Sequence, residues 1–200
     1  MMKTIIKAIK DRRSIYSISS ASPITDEHLI DLVSATVRHV PSAFNMQDQK
    51  VVLLLGKDHA ALWSIVMETL RKIVPPAAFP KTEAKIKSFA AGHGTLLFFT
   101  DVDVVEGMAK QFPLYADNFR MWSPQGNGML QYAIWALIES EALGASLQHY
   151  NPLIDDEVKA RWKLPASWKL MAEMPFGTPT GKPDKKEFQP TESRFKIFGK

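Results

Sequence analysis

The stretch that most limits what this chain can fold into runs from Met129 to Ile138. Every position in it is apolar except Gln131 and Tyr132. A helix made of it has no wet face and should be buried all round. The helical pattern continues through Glu139, Ser140 and Glu141 to Leu143, then meets Gly144, a residue typical of helix C-termini. The pattern changes there. Ala145-Ser146-Leu147-Gln148-His149-Tyr150 reads as a short strand closed by Asn151-Pro152. A buried helix feeding a strand that ends in polar side chains makes a floor for a ligand site. The helix itself is read as core. The Gln148-His149-Tyr150-Asn151 cluster is read as functional, because a strand end rarely needs so many polar groups.

Two hundred residues make one domain, here taken as 1–200, or the subunit of a compact obligate dimer. The absence of cysteine excludes disulfides, thiolate metal sites and a thiol nucleophile, and fits a reducing cytoplasm. A net charge of +4 allows anionic ligands. The basic residues are scattered, however, and make no nucleic-acid stripe. No apolar run is long enough to span a bilayer. Arg12-Arg13 is followed by no apolar segment, so it is not read as an export signal.

Thr4 to Lys10 is expected to form a short helix with Ile5, Ile6 and Ile9 on one side. It ends in Arg12-Arg13-Ser14, whose guanidiniums and hydroxyl suit phosphate oxygens or, equally, a solvated helix end. Ser17 to Pro23 reads as a loop. Thr25-Asp26-Glu27 caps a second helix that reaches His39. Pro41 stops it. The turn Ser42-Ala43-Phe44-Asn45-Met46-Gln47 precedes a strand, Val51 to Leu55. Its amides either read the edge of a planar heterocycle or satisfy their own loop. Asp58 is expected to cap a third helix through Val74, with Leu62, Val66, Leu70 and Ile73 inward. Thr82 to Ala90 reads as a helix, Thr95 to Thr100 as a strand and Val104 to Gln111 as a helix. Phe112, Tyr115, Phe119 and Trp122 form a helical aromatic stripe. Asp155 opens a short helix ending near Lys163. Trp168 to Met174 is a last strand, closed by Pro175-Phe176-Gly177.

Two glycine motifs are set aside. Gly92-His93-Gly94 precedes its strand and lacks a third glycine. Gly177 to Lys182 is one residue short of a phosphate loop, and Pro183 replaces the required hydroxyl. No Gly-x-Ser-x-Gly elbow occurs, and the five histidines show no metal spacing. The polar tail from Pro183 ends with Phe195, Ile197 and Phe198 among basic residues. It is expected to be an edge strand or a docked arm.

The order of these pieces carries a resemblance. Arg12-Arg13-Ser14-Ile15-Tyr16 and Ser42-Ala43-Phe44-Asn45-Met46-Gln47 resemble motifs of the FMN-dependent nitroreductase family. Gly144-Ala145-Ser146-Leu147-Gln148-His149-Tyr150-Asn151-Pro152 is similar to its small fatty-acid-repression-mutant branch. So are Phe112-Pro113, Tyr115-Ala116-Asp117, Trp122-Ser123 and Arg194-Phe195-Lys196-Ile197-Phe198-Gly199. The resemblance runs almost end to end, and Gly144 to Pro152 is its most specific part.

It implies an α+β fold: a mainly antiparallel central sheet flanked by helices, in an intertwined homodimer. The central helix would be buried against its symmetry mate, and the arm 183–200 would cross to the partner subunit. FMN would lie in the dimer groove. By resemblance, Arg12, Arg13 and Ser14 match phosphate and ribityl contacts. Ser42, Asn45 and Gln47 match groups facing the ring and ribityl chain. Leu147, Gln148 and His149 match the segment whose backbone approaches the ring, and Arg194 and Lys196 match a basic pair that helps hold the phosphate. Tyr115 and His149 are possible substrate contacts, with packing as the plainer role for each. No residue is expected to be a catalytic nucleophile, because the flavin does the chemistry.

The implied activity is an NAD(P)H oxidoreductase. Hydride would pass from NADH or NADPH to FMN, then to a nitroaromatic, quinone or similar small flat acceptor. The rival reading is a flavin-binding regulatory or redox-sensor protein with little turnover. Neither nucleic acid nor membrane is expected as a partner.

Overall fold

The computed structural model describes residues 4–199; Met1, Met2, Lys3 and Lys200, the last residue of the expected arm, lie outside them. In chain order the elements are α1 (Ile5–Asp11), β1 (Ile18–Ser19), α2 (Asp26–His39), β2 (Gln49–Leu55), α3 (Gly56–Arg71), α4 (Phe79–Ala90), β3 (Gly94–Asp101), α5 (Val102–Gln111), α6 (Ala116–Ser140), β4 (Gly144–Ala145), α7 (Asp155–Trp162) and β5 (Trp168–Pro179). Single 3-10 turns occupy Ala43–Asn45, Pro113–Tyr115 and Thr191–Ser193.

The strands pair antiparallel in the order β1-β5-β3-β2, with β4 also on β5. The expected α+β architecture, a mainly antiparallel sheet flanked by helices, is the one observed. On one face Leu96, Phe98, Ala172, Met174 and Phe176 pack with Leu29 and Val33 of α2 and Leu130, Ile134 and Ile138 of α6. On the other, Leu54, Leu97, Phe99 and Leu170 meet α3, α4 and α7 through Leu62, Trp63, Val66, Ile86, Phe89 and Val158. With both faces covered, β3 is apolar throughout Leu96–Phe99 instead of alternating.

Helix α2 starts as expected, with the Thr25 hydroxyl accepting from His28 N at 3.2 Å. Helix α3 starts at Gly56, so Asp58 lies in its first turn and accepts from Trp162 Nε1 at 3.0 Å instead of capping. It ends at Arg71, which leaves Ile73 exposed rather than inward. The loop after Ser17 contains β1. Strand β5 does not close at Pro175 but continues to Pro179, because β4 and β1 pair with its extension.

The central helix needs the largest correction. The aromatic stripe and the apolar run are parts of one helix, α6, which passes straight through Pro124. Proline there lacks a donor, but side chains on both sides anchor the helix to the sheet. Ser123 donates to Asp48, and Asn127 Nδ2 donates to the Phe99 carbonyl at 2.9 Å. A Cβ on Gly126 would lie 2.5 Å from Gln49 Nε2, so glycine permits this close approach. Nor is the helix buried all round within one chain. Leu130, Ile134 and Ile138 are buried, whereas Met129 is 47% and Tyr132 42% exposed. With Met121, Gln125 and Gly128 they form one exposed stripe at helical spacing.

The helix ends at Ser140, and Ala142 rather than Gly144 takes the left-handed conformation, at φ 63°. Gly144 opens β4. A Cβ on it would meet Pro179 Cγ at 2.9 Å and Ile15 Cβ at 3.0 Å. The strand expected to reach Tyr150 is reduced to Gly144–Ala145 and a bridge at Gln148. The tail forms no strand, and Phe188, Phe195, Ile197 and Phe198 are exposed. Among the described residues no helix is long and apolar enough to cross a membrane.

Candidate active site

Helix α1 delivers its last turn to a cleft. Arg12 is its C-cap, with its N–H on the Ala8 carbonyl. Ser14 then bridges Ala145 in parallel, and Ile15 N donates to the Ala145 carbonyl at 2.8 Å. This pairing is what Gly144 makes room for. Arg12, Arg13, Ser14 and Tyr16 line a cleft of about 490 Å³ closed on the other side by Gly181, Lys182, Asp184 and Lys186. The Arg12 guanidinium lies 4.3 Å over the Trp135 ring, an arrangement in which the ring face favours the cation. Its Nε is buried without a hydrogen-bond partner among the described residues. Arg13 Nη2 donates to the Asp184 carbonyl. Such a set of fixed donors and cations suits an anionic ligand.

The Leu147–His149 segment begins two residues beyond the Ile15–Ala145 pairing. Gln148 exchanges both backbone hydrogen bonds with Glu173, at 2.7 and 3.0 Å, and its Nε2 donates to Ser146 Oγ at 3.0 Å. Gln148 is buried, Leu147 half-buried and His149 exposed.

Ser42, Asn45 and Gln47 form a separate group. Phe44, Asn45 and Gln47 all have φ between 53° and 54°. Non-glycine residues rarely adopt this, at a cost of about 1 kcal/mol or more each. The surroundings enforce it. Ser42 Oγ accepts from Gln47 N at 2.9 Å, Lys50 Nζ donates to the Gln47 carbonyl at 2.9 Å, and Met46 is buried. Asp48 follows, fully buried, with burial raising its carboxyl group's pKa and Ser123 as donor. The strained turn holds Phe44 against Phe112, Tyr115, Phe119 and Trp122. Phe44 and Tyr115 remain about half exposed.

These two groups lie at opposite ends of α6. Trp122 belongs to the Phe44 cluster and Trp135 to the Arg12 cleft. Thirteen residues of helix separate them by about 20 Å. Within one chain they do not meet. Arg194 and Lys196 do not line the Arg12 cleft either; they are exposed on the tail, where Arg194 N bonds the Thr191 carbonyl at 3.0 Å.

Three contributors were missed in the sequence. Lys182 and Lys186 line the cleft from a segment read only as a failed phosphate loop and a polar tail. Glu173 is fully buried beneath the Gln148 segment, and its only sequence signal is that it is a lone acid in Leu170–Phe176. Among the described residues no three His, Asp or Glu side chains gather to hold a metal.

A model of the nitroreductase family matches residues 9–178. The Saccharomyces cerevisiae protein HBN1 is 33% identical over 187 residues, 92% of this chain and 93% of its own length. Nitroreductase FRM2 of the same yeast is 29% identical over 188 residues, 92% of either chain. The solved structure of nitroreductase CinD from Lactococcus lactis in complex with nicotinic acid has a TM-score of 0.90 at 39% identity, covering 98% of this chain and 100% of that one. CinD has also been solved with chloramphenicol and with 4-nitrophenol. Fold, motif order and whole-length likeness agree: the chain belongs to the nitroreductase family and is an oxidoreductase of nitroreductase type.

Proposed function

We propose that the protein, a single domain over residues 1–200, is an FMN-dependent NAD(P)H oxidoreductase acting as a homodimer in the cytoplasm. The observation that carries this is the Arg12–Ser14 cleft, tied by the Ile15–Ala145 hydrogen bond to the Leu147–His149 segment in a nitroreductase-family chain. The residues fit FMN. A phosphate dianion needs several fixed donors, and the buried Arg12 Nε without a partner is one awaiting an acceptor. When bound, FMN supplies the chemistry, taking a hydride from NADH or NADPH and passing it to a nitroaromatic, quinone or similar flat acceptor.

Arg12, Arg13 and Ser14 bind the phosphate end, with Lys182 and Lys186 adding charge. Leu147, Gln148 and His149 present their backbone to the ring. Ser42, Asn45 and Gln47 orient the ring and ribityl chain, and Tyr115 and His149 border the acceptor. Arg194 and Lys196 join the phosphate set once the arm 183–200 docks on the partner.

The dimer follows from separation. A two-fold axis crossing α6 brings one chain's Phe44 end beside its partner's Arg12 end, so each site draws on both chains. The exposed stripe Met121–Tyr132 and the apolar tail residues supply the surface that such pairing covers. The molecules bound to CinD fit the acceptor class, since 4-nitrophenol and chloramphenicol each carry a nitrophenyl ring.

The test is the visible spectrum of the purified protein, before and after anaerobic NADH and NADPH. Flavin bands that bleach are the expected result. Bands that persist with both donors favour the redox-sensor reading. A colourless protein that takes up no added FMN overturns the cofactor assignment.

A further inference from the structure

Glu173 is a buried acid that the hydride-transfer reading does not use. It sits in the middle of β5 between two strands' worth of partners. Its backbone exchanges both hydrogen bonds with Gln148 on one side, and it registers with Leu97 on the other. Its side chain turns back on the same segment. Oε2 accepts from Tyr150 N at 2.9 Å. One residue thus anchors Gln148 and Tyr150. It leaves His149 exposed between the anchor points and Leu147 half-buried before them.

The corner is poor in donors. Glu173 Oε1, Asn151 Oδ1 and Asp155 Oδ1 are all buried without a hydrogen-bond partner among the described residues. Among the described residues no cation pairs with Glu173. Asp155, at the start of α7, adds a like charge instead. Lys159 and Lys169 act on Asp155. His59, on α3 in the same layer, is occupied by Thr95 and the Ala90 carbonyl. A carboxylate here would be desolvated and repelled; a carboxylic acid would be neutral and bring a donor to a corner of unpaired acceptors. Burial pushes the group up to about 8, outweighing the Tyr150 N–H that favours the charged form. The neighbouring Tyr150 hydroxyl is pushed up to about 12, by burial first and by Glu173 second.

We propose that Glu173 is a positioning residue: it clamps the Gln148–Tyr150 segment against which the flavin ring lies, and its proton keeps that support neutral while the ring gains electrons. The proposal rests on the FMN reading above. Reduction adds negative charge beside the segment, so the proton on Glu173 is held more tightly in the reduced protein. Below pH 7 the group is protonated in both states and does not discriminate. Through its titration range reduction takes up an extra proton, and above it the carboxylate disfavours reduction.

The test is the flavin midpoint potential of the FMN-loaded protein from pH 6 to 10, for wild type and Glu173→Gln. The amide keeps shape and one acceptor but cannot ionise. The expected result is two curves that run parallel below pH 7, with wild type falling progressively below the variant between about pH 8 and 9.5. Tyr150 lies above this window, and the exposed His149 is common to both proteins. A constant offset across the whole range, the mark of a purely structural residue, overturns the proposal. If the variant does not fold, the infrared carboxylic-acid band of wild type replaces it. A band lost above about pH 8.5 and shifted on flavin reduction supports the proposal, and its absence at pH 7 overturns it. Wild-type protein that takes up no FMN overturns the cofactor reading and this inference with it; a flavin-bound protein with no pH-dependent difference overturns this inference alone.

Discussion

The two ends of helix α6 solve different problems with different chemistry. At its C-terminal end Trp135 and Tyr132 face the Arg12 guanidinium, and the surroundings are cationic: Arg13, Lys182 and Lys186 line the adjoining cleft. The backbone there is held by strand pairing through Ile15 and Ala145, just past a single left-handed residue, Ala142. At its N-terminal end Phe119 and Trp122 face Phe44, and the surroundings are aromatic. Three residues of the Ser42–Gln47 turn sit at positive φ, held by the Ser42 hydroxyl, Lys50 and the buried Asp48–Ser123 pair. One end is arranged to attract charge, the other to hold a flat wall in a conformation that costs energy. Within one chain the two regions lie about 20 Å apart along the helix.

The comparison can be broken most severely at the cationic end. Arg12→Ala removes a charge-assisted donor whose Nε is buried without a partner among the described residues. FMN binding is expected to weaken by about 2–3 kcal/mol, or roughly 30–150-fold, read by fluorescence titration. An unchanged affinity would assign Arg12 to the cation–π contact with Trp135 and nothing more. The next test joins the two ends. Met129→Asp puts a charge in the middle of the exposed α6 stripe. If that stripe is the pairing surface, the dimer dissociation constant should rise at least about tenfold by sedimentation, with loss of flavin in step. A variant that keeps both its mass in solution and its flavin would separate the site from the stripe. The smallest effect is expected at the aromatic end. Phe44→Gly relieves the positive-φ strain but deletes the ring contacts, terms of similar size and opposite sign, so stability should change by less than about 1.5 kcal/mol. FMN should be retained, while KM for a nitroaromatic acceptor rises about three- to tenfold. Loss of flavin instead would place Phe44 in cofactor binding.

Much of the site was legible because it is local. Arg12-Arg13-Ser14, Ser42 to Gln47 and Gly144 to Pro152 are contiguous motifs, and each lies at the junction of elements where it was read. Helix α2 was legible from its Thr25 cap and apolar spacing, and β3 from a short apolar run after Gly94. The errors cluster where distant partners override local signals. The aromatic stripe ending at Trp122 and the apolar run from Met129 read as separate pieces; contacts with Asp48, Phe99 and Thr100 hold the residues between them as the middle of one helix. Pro175 read as a stop; β4 and β1 supply the ladder that carries β5 past it. Gly144 read as a helix terminus, but Ala142 takes the left-handed turn and Gly144 serves the close approach of Ile15.

The sequence by itself determined the family, the helix-flanked sheet and the places of the arginine-bearing and amide-bearing turns, because these depend on residues near one another in the chain. Only the tertiary structure decided how they are deployed. It stacks Arg12 on Trp135, adds Lys182 and Lys186 to the cleft and leaves Arg194 and Lys196 outside it, separates the two half-sites along α6, and puts a single acid beneath Gln148. Glu173 is marked in the sequence only as a lone acid in Leu170–Phe176. Its proton is held by the burial that β3, α7 and the Tyr150 turn impose on it, and that burial exists only once the chain is folded.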